Sequence, residues 1–353
     1  MTVQKTEQVM DKKKEIIWSV VSLLLAGLTV WAVFKQSQGI SLQDIVECFK
    51  NGNKAWILCA VVCVAAYIVL EGIAILSILK GIGYRRSVWQ GLLYSTSDIY
   101  FSAITPSATG GQPASAWFMI SDKIPAGVTT AVLILNLMMY TLSIVVLGII
   151  AVIINYRMFF EFRLFSKILI GIGFVLLSLL AFVYLSILRR GEKVFNAVKR
   201  FINFLGSKHI IKRTESKLKK VDKAKEDFDE CSKLFAGKTD VLFKAFIWNF
   251  LQRASQIAVP MFIFLALGGA KEHAASVFAS QCLITIGFNW VPIPGAMGVS
   301  DFLMVDGFLE LMGRTGAFQV DMLSRGLSFY ICVLLSGIIT LIGYIHLRRK
   351  NKA

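Results

Sequence analysis

Charge is scarce in this chain. Of 353 residues only 17% are Asp, Glu, Lys or Arg, against roughly 25% in an ordinary soluble domain, while 56% are hydrophobic and the mean hydropathy is +0.66. A soluble enzyme is excluded on that ground. Histidine is nearly missing, with His209, His273 and His346 far apart. The six cysteines, Cys48, Cys59, Cys63, Cys231, Cys282 and Cys332, show no CxxC spacing. Neither a zinc site nor a disulfide framework follows, and no metal, cofactor or catalytic residue is expected. No Walker A pattern is present, so any transport is expected to be energy-independent or coupled to an ion gradient. Nothing like an Ala-x-Ala cleavage site follows the first apolar run, residues 16–34, which is also too long for a signal peptide. It is expected to stay as a first span, entering from the cytoplasm after Lys12, Lys13 and Lys14.

What the chain does have is apolar runs at about 16–34, 55–79, 125–154, 168–188, 241–267 and 322–347. About 20 residues of helix cross a hydrocarbon core of roughly 30 Å, so each is expected to span. Two further stretches, about 88–124 and 275–312, are apolar but broken by Pro and Gly at Thr105, Pro106, Gly110, Gly111 and Pro113, and at Asn289, Pro292, Pro294, Gly295 and Gly298. A break of that kind predicts two half-length helices in a hairpin that enters and leaves on one side, or two short crossings with the same effect.

The two halves can be laid on one another. Pro106-x-Ala108-x-Gly110 matches Pro294-x-Ala296-x-Gly298, and each half reads span, span, broken hairpin, span. The expected fold is an all-α polytopic membrane protein of two inverted repeats, each with three spanning helices and a broken Pro/Gly re-entrant hairpin. Three crossings per half turn the second upside down. Residues 1–154 form the first repeat with its hairpin at 88–124. Residues 155–188 start the second, 189–240 form a basic cytoplasmic segment, and 241–353 complete the second repeat with its hairpin at 275–312.

The net charge of +16, from 38 Lys and Arg against 22 Asp and Glu, would suggest nucleic acid in a soluble chain. Here it reads as orientation, because Lys and Arg accumulate in cytoplasmic loops. The expected topology puts 27 of them on the cytoplasmic side against 8 outside, with both termini cytoplasmic and the protein in the cell membrane. No nucleic acid partner is expected, and a homo-oligomer is left open. Within the basic segment Leu218, Val221, Ala224, Phe228, Cys231 and Phe235 recur at three- and four-residue steps, the pattern of an amphipathic helix on the membrane surface or the bundle.

Unpaired backbone groups at membrane depth are costly unless protein or water satisfies them, so the breaks should line a cavity. Half-helices beginning near Gly110 and Gly298 would turn positive N-terminal ends toward it, a geometry suited to an anion such as phosphate. Arg253 falls near the centre of its expected span, with Asn249, Gln252 and Gln256 within one turn. An arginine there costs at least about 2.5–3.5 kcal/mol to insert and needs a partner or a substrate. Glu71, Asp98, Asp301 and Arg325 are the other ionisable candidates. Arg253 either closes an internal ion pair with Glu71 or Asp98 or meets an anionic headgroup.

At these residues the chain resembles the lysylphosphatidylglycerol synthase transmembrane-region family. The Thr105, Pro106, Gly110, Gly111, Pro113 element and the Pro292-x-Pro294-Gly295-x-x-Gly298-Val299-Ser300-Asp301 element look like the family's two signature loops. The resemblance covers nearly the whole chain. The family's second loop commonly reads Pro-Gly-Gly and ends in Glu, where this chain has Gly295-Ala296 and Asp301. The resemblance implies a flippase, the membrane half of the multiple peptide resistance factor linked to antimicrobial peptide resistance. Its cargo would be a membrane phospholipid, aminoacylated or anionic, such as lysyl-phosphatidylglycerol. The family's lysyltransferase label belongs to a soluble domain after the spans, expected to be absent here because few residues follow Leu347.

The implied substrate site gathers Arg253, Glu71, Asp98, Thr105, Pro106, Gly110, Gly111, Pro113, Asn289, Pro294, Gly295, Gly298, Asp301 and Arg325. Two other readings stand beside it. One is a secondary transporter of a small anion, distinguished by the lack of a lateral opening for acyl chains. The other is an intramembrane lipid-modifying enzyme using Asp98, Asp301 or Glu71 as acid or base.

Overall fold

The structure, a computed structural model, describes residues 50–105, 108–207, 218, 221, 222, 225, 234, 235, 237–291, 293–296 and 298–350. The first span expected at 16–34, Pro106, and most of the amphipathic pattern in the basic segment lie outside the described residues. Those described are all-α, with no strand among them. The chain is a polytopic membrane protein: Lys54–Gly81, Ala126–Asn155, Leu164–Ile187 and the run Val299–Arg349 are each long and apolar enough to cross a bilayer.

Helix α1, Lys54–Gly81, starts where the Asn53 side chain accepts the Ala55 N–H at 3.0 Å, satisfying one of the free amides of its first turn. Helix α2, Val88–Ile104, starts on a capping box in which Ser87 and Gln90 bond reciprocally. It stops at Thr105, whose backbone is extended (φ −112°, ψ 145°), as the residue before a proline prefers. Helix α3, Gly111–Ser121, returns. Its 11 residues reach only about 16 Å at 1.5 Å per residue, half of the roughly 30 Å hydrocarbon core. The two ends of this hairpin meet: Arg86 Nη2 donates to the Asp122 carbonyl at 2.9 Å, and the Tyr94 hydroxyl donates to Asp122 Oδ2 at 2.6 Å. The segment is therefore a hairpin whose two ends lie together, as both expected forms require, and its second arm is too short for a full crossing.

Helix α4, Ala126–Asn155, follows Pro125, and a short α5, Arg157–Glu161, leads into α6, Leu164–Ser207. The apolar part of α6 ends near residue 188 as expected from composition, but the helix continues through the start of the basic segment to Ser207. Helix α7, Thr239–Ala266, has 28 residues and contains Pro260. It runs antiparallel to α1, tied at one end by Asn53 N–H to the Ala266 carbonyl at 2.9 Å. Helix α8, Ala274–Asn289, a 3-10 turn at Pro294–Ala296 and helix α9, Val299–Arg325, form the second broken stretch. Gly313 (φ 67°, ψ 176°) interrupts α9, close to the expected end of the second hairpin at 312, and helix resumes after it to run into the last apolar stretch. A π-helical turn, Gly326–Ile331, joins it to α10, Cys332–Lys350.

Helices α1 and α7 form the most extensive pair. The first hairpin packs on α1 and α10, and the second on α4, α6 and α7, with the Pro294–Ala296 turn against α2. A buried core of Ile75, Ile78, Leu79, Tyr94, Phe118, Met119 and Val132, joined by Phe235, fills one end of the bundle. The outward faces stay apolar, with Leu58, Ile153, Val175, Phe182 and Leu334 exposed, as a lipid solvent permits.

Candidate functional site

The two hairpins, α1, α4, α6, α7 and α10 enclose one cavity of about 710 Å³, within the range of ligand-binding pockets. Helix α7 supplies its polar wall. Asn249, Gln252, Arg253, Gln256 and Pro260 recur at three- and four-residue steps and therefore share a face, and all line the cavity. Those side chains also explain why α7, long enough to cross at about 42 Å, is not among the apolar spans.

The Arg253 guanidinium sits 4.0 Å from the Tyr140 ring centroid and 5.2 Å from that of Tyr67. Its Nη1 donates to Gln256 Oε1 at 2.5 Å, while its buried Nε has no hydrogen-bond partner. The Tyr140 hydroxyl donates to Asn289 Oδ1 at 2.7 Å, which links α4 to the end of α8. Among the described residues no carboxylate forms an ion pair with Arg253. Glu71, one turn from Tyr67 on α1, is 6% exposed and accepts from Gln252 Nε2 at 3.2 Å. Asp98, on α2, leaves its Oδ1 unpartnered. Below them Asn249 Nδ2 donates to Asn136 Oδ1 at 2.9 Å.

Arg325 is built differently. Its Nε lies 2.5 Å from Asp301 Oδ1 and 3.9 Å from Asp321 Oδ1, and its Nη2 donates to Ser300 Oγ and to the Gly295 carbonyl at 3.4 Å. Asp301 also accepts the Gly298 N–H through Oδ2 at 2.7 Å. Gly298 has φ 82°, a left-handed conformation that a side chain would strain. The positive end of α9, expected to face an outside anion, is thus occupied by the chain's own carboxylate.

Of the residues singled out from sequence, Glu71, Asp98, Arg253, Asn289, Gly295 and Arg325 line the cavity. Thr105, Gly110, Gly111, Pro113, Pro294, Gly298 and Asp301 are not part of that lining. Thr105 bridges the first break, donating to the Phe101 carbonyl at 2.6 Å and accepting the Gly110 N–H at 2.8 Å. Gly111 packs so tightly on α2 that a Cβ would fall 2.6 Å from the Asp98 carbonyl oxygen. Tyr67, Tyr140, Asn136 and Gln281 also line the cavity and were not singled out, because aromatic and amide residues in an apolar helix carry no signal of which face they occupy. Among the described residues no three of His, Cys, Asp and Glu gather as a metal site.

The family model for the lysylphosphatidylglycerol synthase TM region matches residues 18–336. The chain belongs to this family. A UPF0104 membrane protein of Pyrococcus horikoshii is 24% identical over 345 residues, covering 90% of this chain and 96% of its own. Another, of Archaeoglobus fulgidus, is 22% identical over 292 residues, covering 80% and 84%. In this member of the lysylphosphatidylglycerol synthase TM-region family, then, one cavity arginine is tied to carboxylates and the other is not.

Proposed function

We propose that the protein is a phospholipid translocase whose central cavity receives a lipid headgroup, with Arg253 meeting the phosphate. The observation that carries this reading is the contrast between the two cavity arginines. Arg325 has its charge met by Asp301 and Asp321, whereas Arg253 is held by aromatic faces and an amide, with Nε free. A partly buried guanidinium with a buried, unpartnered Nε and no ion-paired carboxylate is a poor strut and a good anion site, since charge-assisted bonds to phosphate are about twice as strong as neutral ones.

The cavity's apolar flank supports a lipid over a small soluble anion. Leu137 on α4 and Leu176 and Leu180 on α6 line it while remaining 39%, 43% and 39% exposed, so acyl chains have an apolar wall beside the headgroup. The repeat-like packing of α4 on the second hairpin and of α10 on the first supports two inverted halves rocking about the cavity. Purified protein in vesicles carrying headgroup-labelled phosphatidylglycerol tests the reading. Transfer of label between leaflets faster than in protein-free vesicles is expected, and transfer at the protein-free rate overturns it.

A further inference from the structure

The headgroup reading leaves Glu71 and Asp98 without a task. Their carboxyl groups lie within hydrogen-bonding reach of each other, and both line the cavity beside Arg253. Two bare anions in that contact repel strongly in a low-dielectric site, a repulsion that one shared proton relieves. The groups facing the pair are Tyr67 on α1, Ser102 on α2, Gln252 and Arg253 on α7, and Cys332 on α10, with Tyr140 of α4 across Arg253. Arg253 is the one cation in that set. The cluster is also incomplete: Gln252, 1% exposed, gives its Nε2 to Glu71 and leaves Oε1 without a partner, as Asp98 leaves Oδ1.

Charge counting then constrains what binds. A carboxyl pair holding one proton carries one negative charge, which balances Arg253. An anionic headgroup brought against Arg253 adds a second negative charge at membrane depth, where an uncompensated charge is costly. One further proton on the pair restores neutrality, turning a carboxylate and a carboxylic acid into two carboxylic acids with no change in any bond of the lipid. We propose that the Glu71–Asp98 pair takes up one proton as an anionic phospholipid headgroup binds at Arg253 and releases it as the headgroup leaves, so that lipid and proton move together. The proposal rests on the headgroup reading. A zwitterionic headgroup brings its own positive charge and draws no proton.

The sign follows from linkage. Binding that takes up a proton strengthens as pH falls, by up to about tenfold per pH unit above the titration of the pair, and levels off below it. The test uses purified protein in a neutral detergent, with short-chain phosphatidylglycerol as probe and phosphatidylcholine of the same chains as comparison. Proton uptake is read with an indicator dye in weakly buffered solution, and affinity is measured across a pH series. About one proton per bound phosphatidylglycerol is expected, and none for phosphatidylcholine. In the double variant Glu71→Gln/Asp98→Asn, whatever the affinity that remains for phosphatidylglycerol, binding is expected to take up no proton and to be independent of pH. Binding to the unaltered protein without proton uptake, or uptake unchanged in the double variant, overturns the coupling and leaves the headgroup reading standing. If neither lipid binds the unaltered protein, the headgroup reading falls and the coupling with it. Should the double variant fail to fold, the uptake by the unaltered protein decides.

Discussion

The ring of Tyr140 lies 4.0 Å beneath the Arg253 guanidinium while its hydroxyl donates to Asn289 at 2.7 Å. One side chain therefore holds the cavity's unpaired cation and connects it to the break of the second hairpin. The two roles separate by substitution. Tyr140→Phe keeps the ring and loses the bond to Asn289, so lipid binding should fall only a few-fold. Tyr140→Leu removes the cation–π contact, worth about 1–2 kcal/mol when partly desolvated, and should weaken binding about 5- to 30-fold. Titration of both variants with phosphatidylglycerol checks the order, and equal losses would remove the ring from the argument.

Arg325 should behave in the opposite sense from Arg253. Replacing it by Gln strands Asp301 and Asp321, and breaking a buried pair costs about 3–5 kcal/mol. Melting of Arg325→Gln should show that loss, and Asp321→Asn added to it should recover part. A melting temperature unchanged by Arg325→Gln would mean that the second hairpin is not held by this contact.

Gly298 sits at φ 82° where α9 begins, and its N–H is held by Asp301. Gly298→Leu should cost about 1–2 kcal/mol in left-handed strain and displace the hairpin tip, abolishing lipid movement in vesicles while the protein stays extractable and folded. Retained transport would reduce the break to a packing kink.

Orientation is open to direct labelling. The orientation expected from the loop charges predicts that a cysteine placed at Lys271 reacts with a membrane-impermeant maleimide in intact cells and that one at Arg85 does not. The reverse pattern would invert the whole arrangement.

The apolar helices at 54–81, 126–155 and 164–187 were legible because long uncharged runs have one physical solution in lipid, and the breaks because Pro and Gly punctuate them. Helix α7 was legible twice over, by its length and by the polar stripe from Asn249 to Gln256. The helix between Gly313 and Met322 gave little signal, because its residues include the polar Arg314, Thr315 and Asp321. Asp306 gave no signal either. It accepts from the Arg163 N–H at 2.9 Å and Ser166 Oγ at 2.5 Å and pairs with Arg163 Nε at 3.3 Å, fixing the start of α6 against the second hairpin. Its partners lie some 140 residues away, beyond any local pattern. Tyr67 and Tyr140 stayed hidden for the same reason: which face of an apolar helix meets the cavity depends on its neighbours.

The most direct test is Arg253→Gln, assayed on one preparation for phosphatidylglycerol binding and for melting. A neutral amide retains some hydrogen bonding and loses the charge-assisted bond to phosphate, so binding should fall at least tenfold while the melting temperature moves little. A large melting loss, recovered by also neutralising Glu71 or Asp98 with lipid binding intact in the double variant, would make Arg253 a strut and contradict the account.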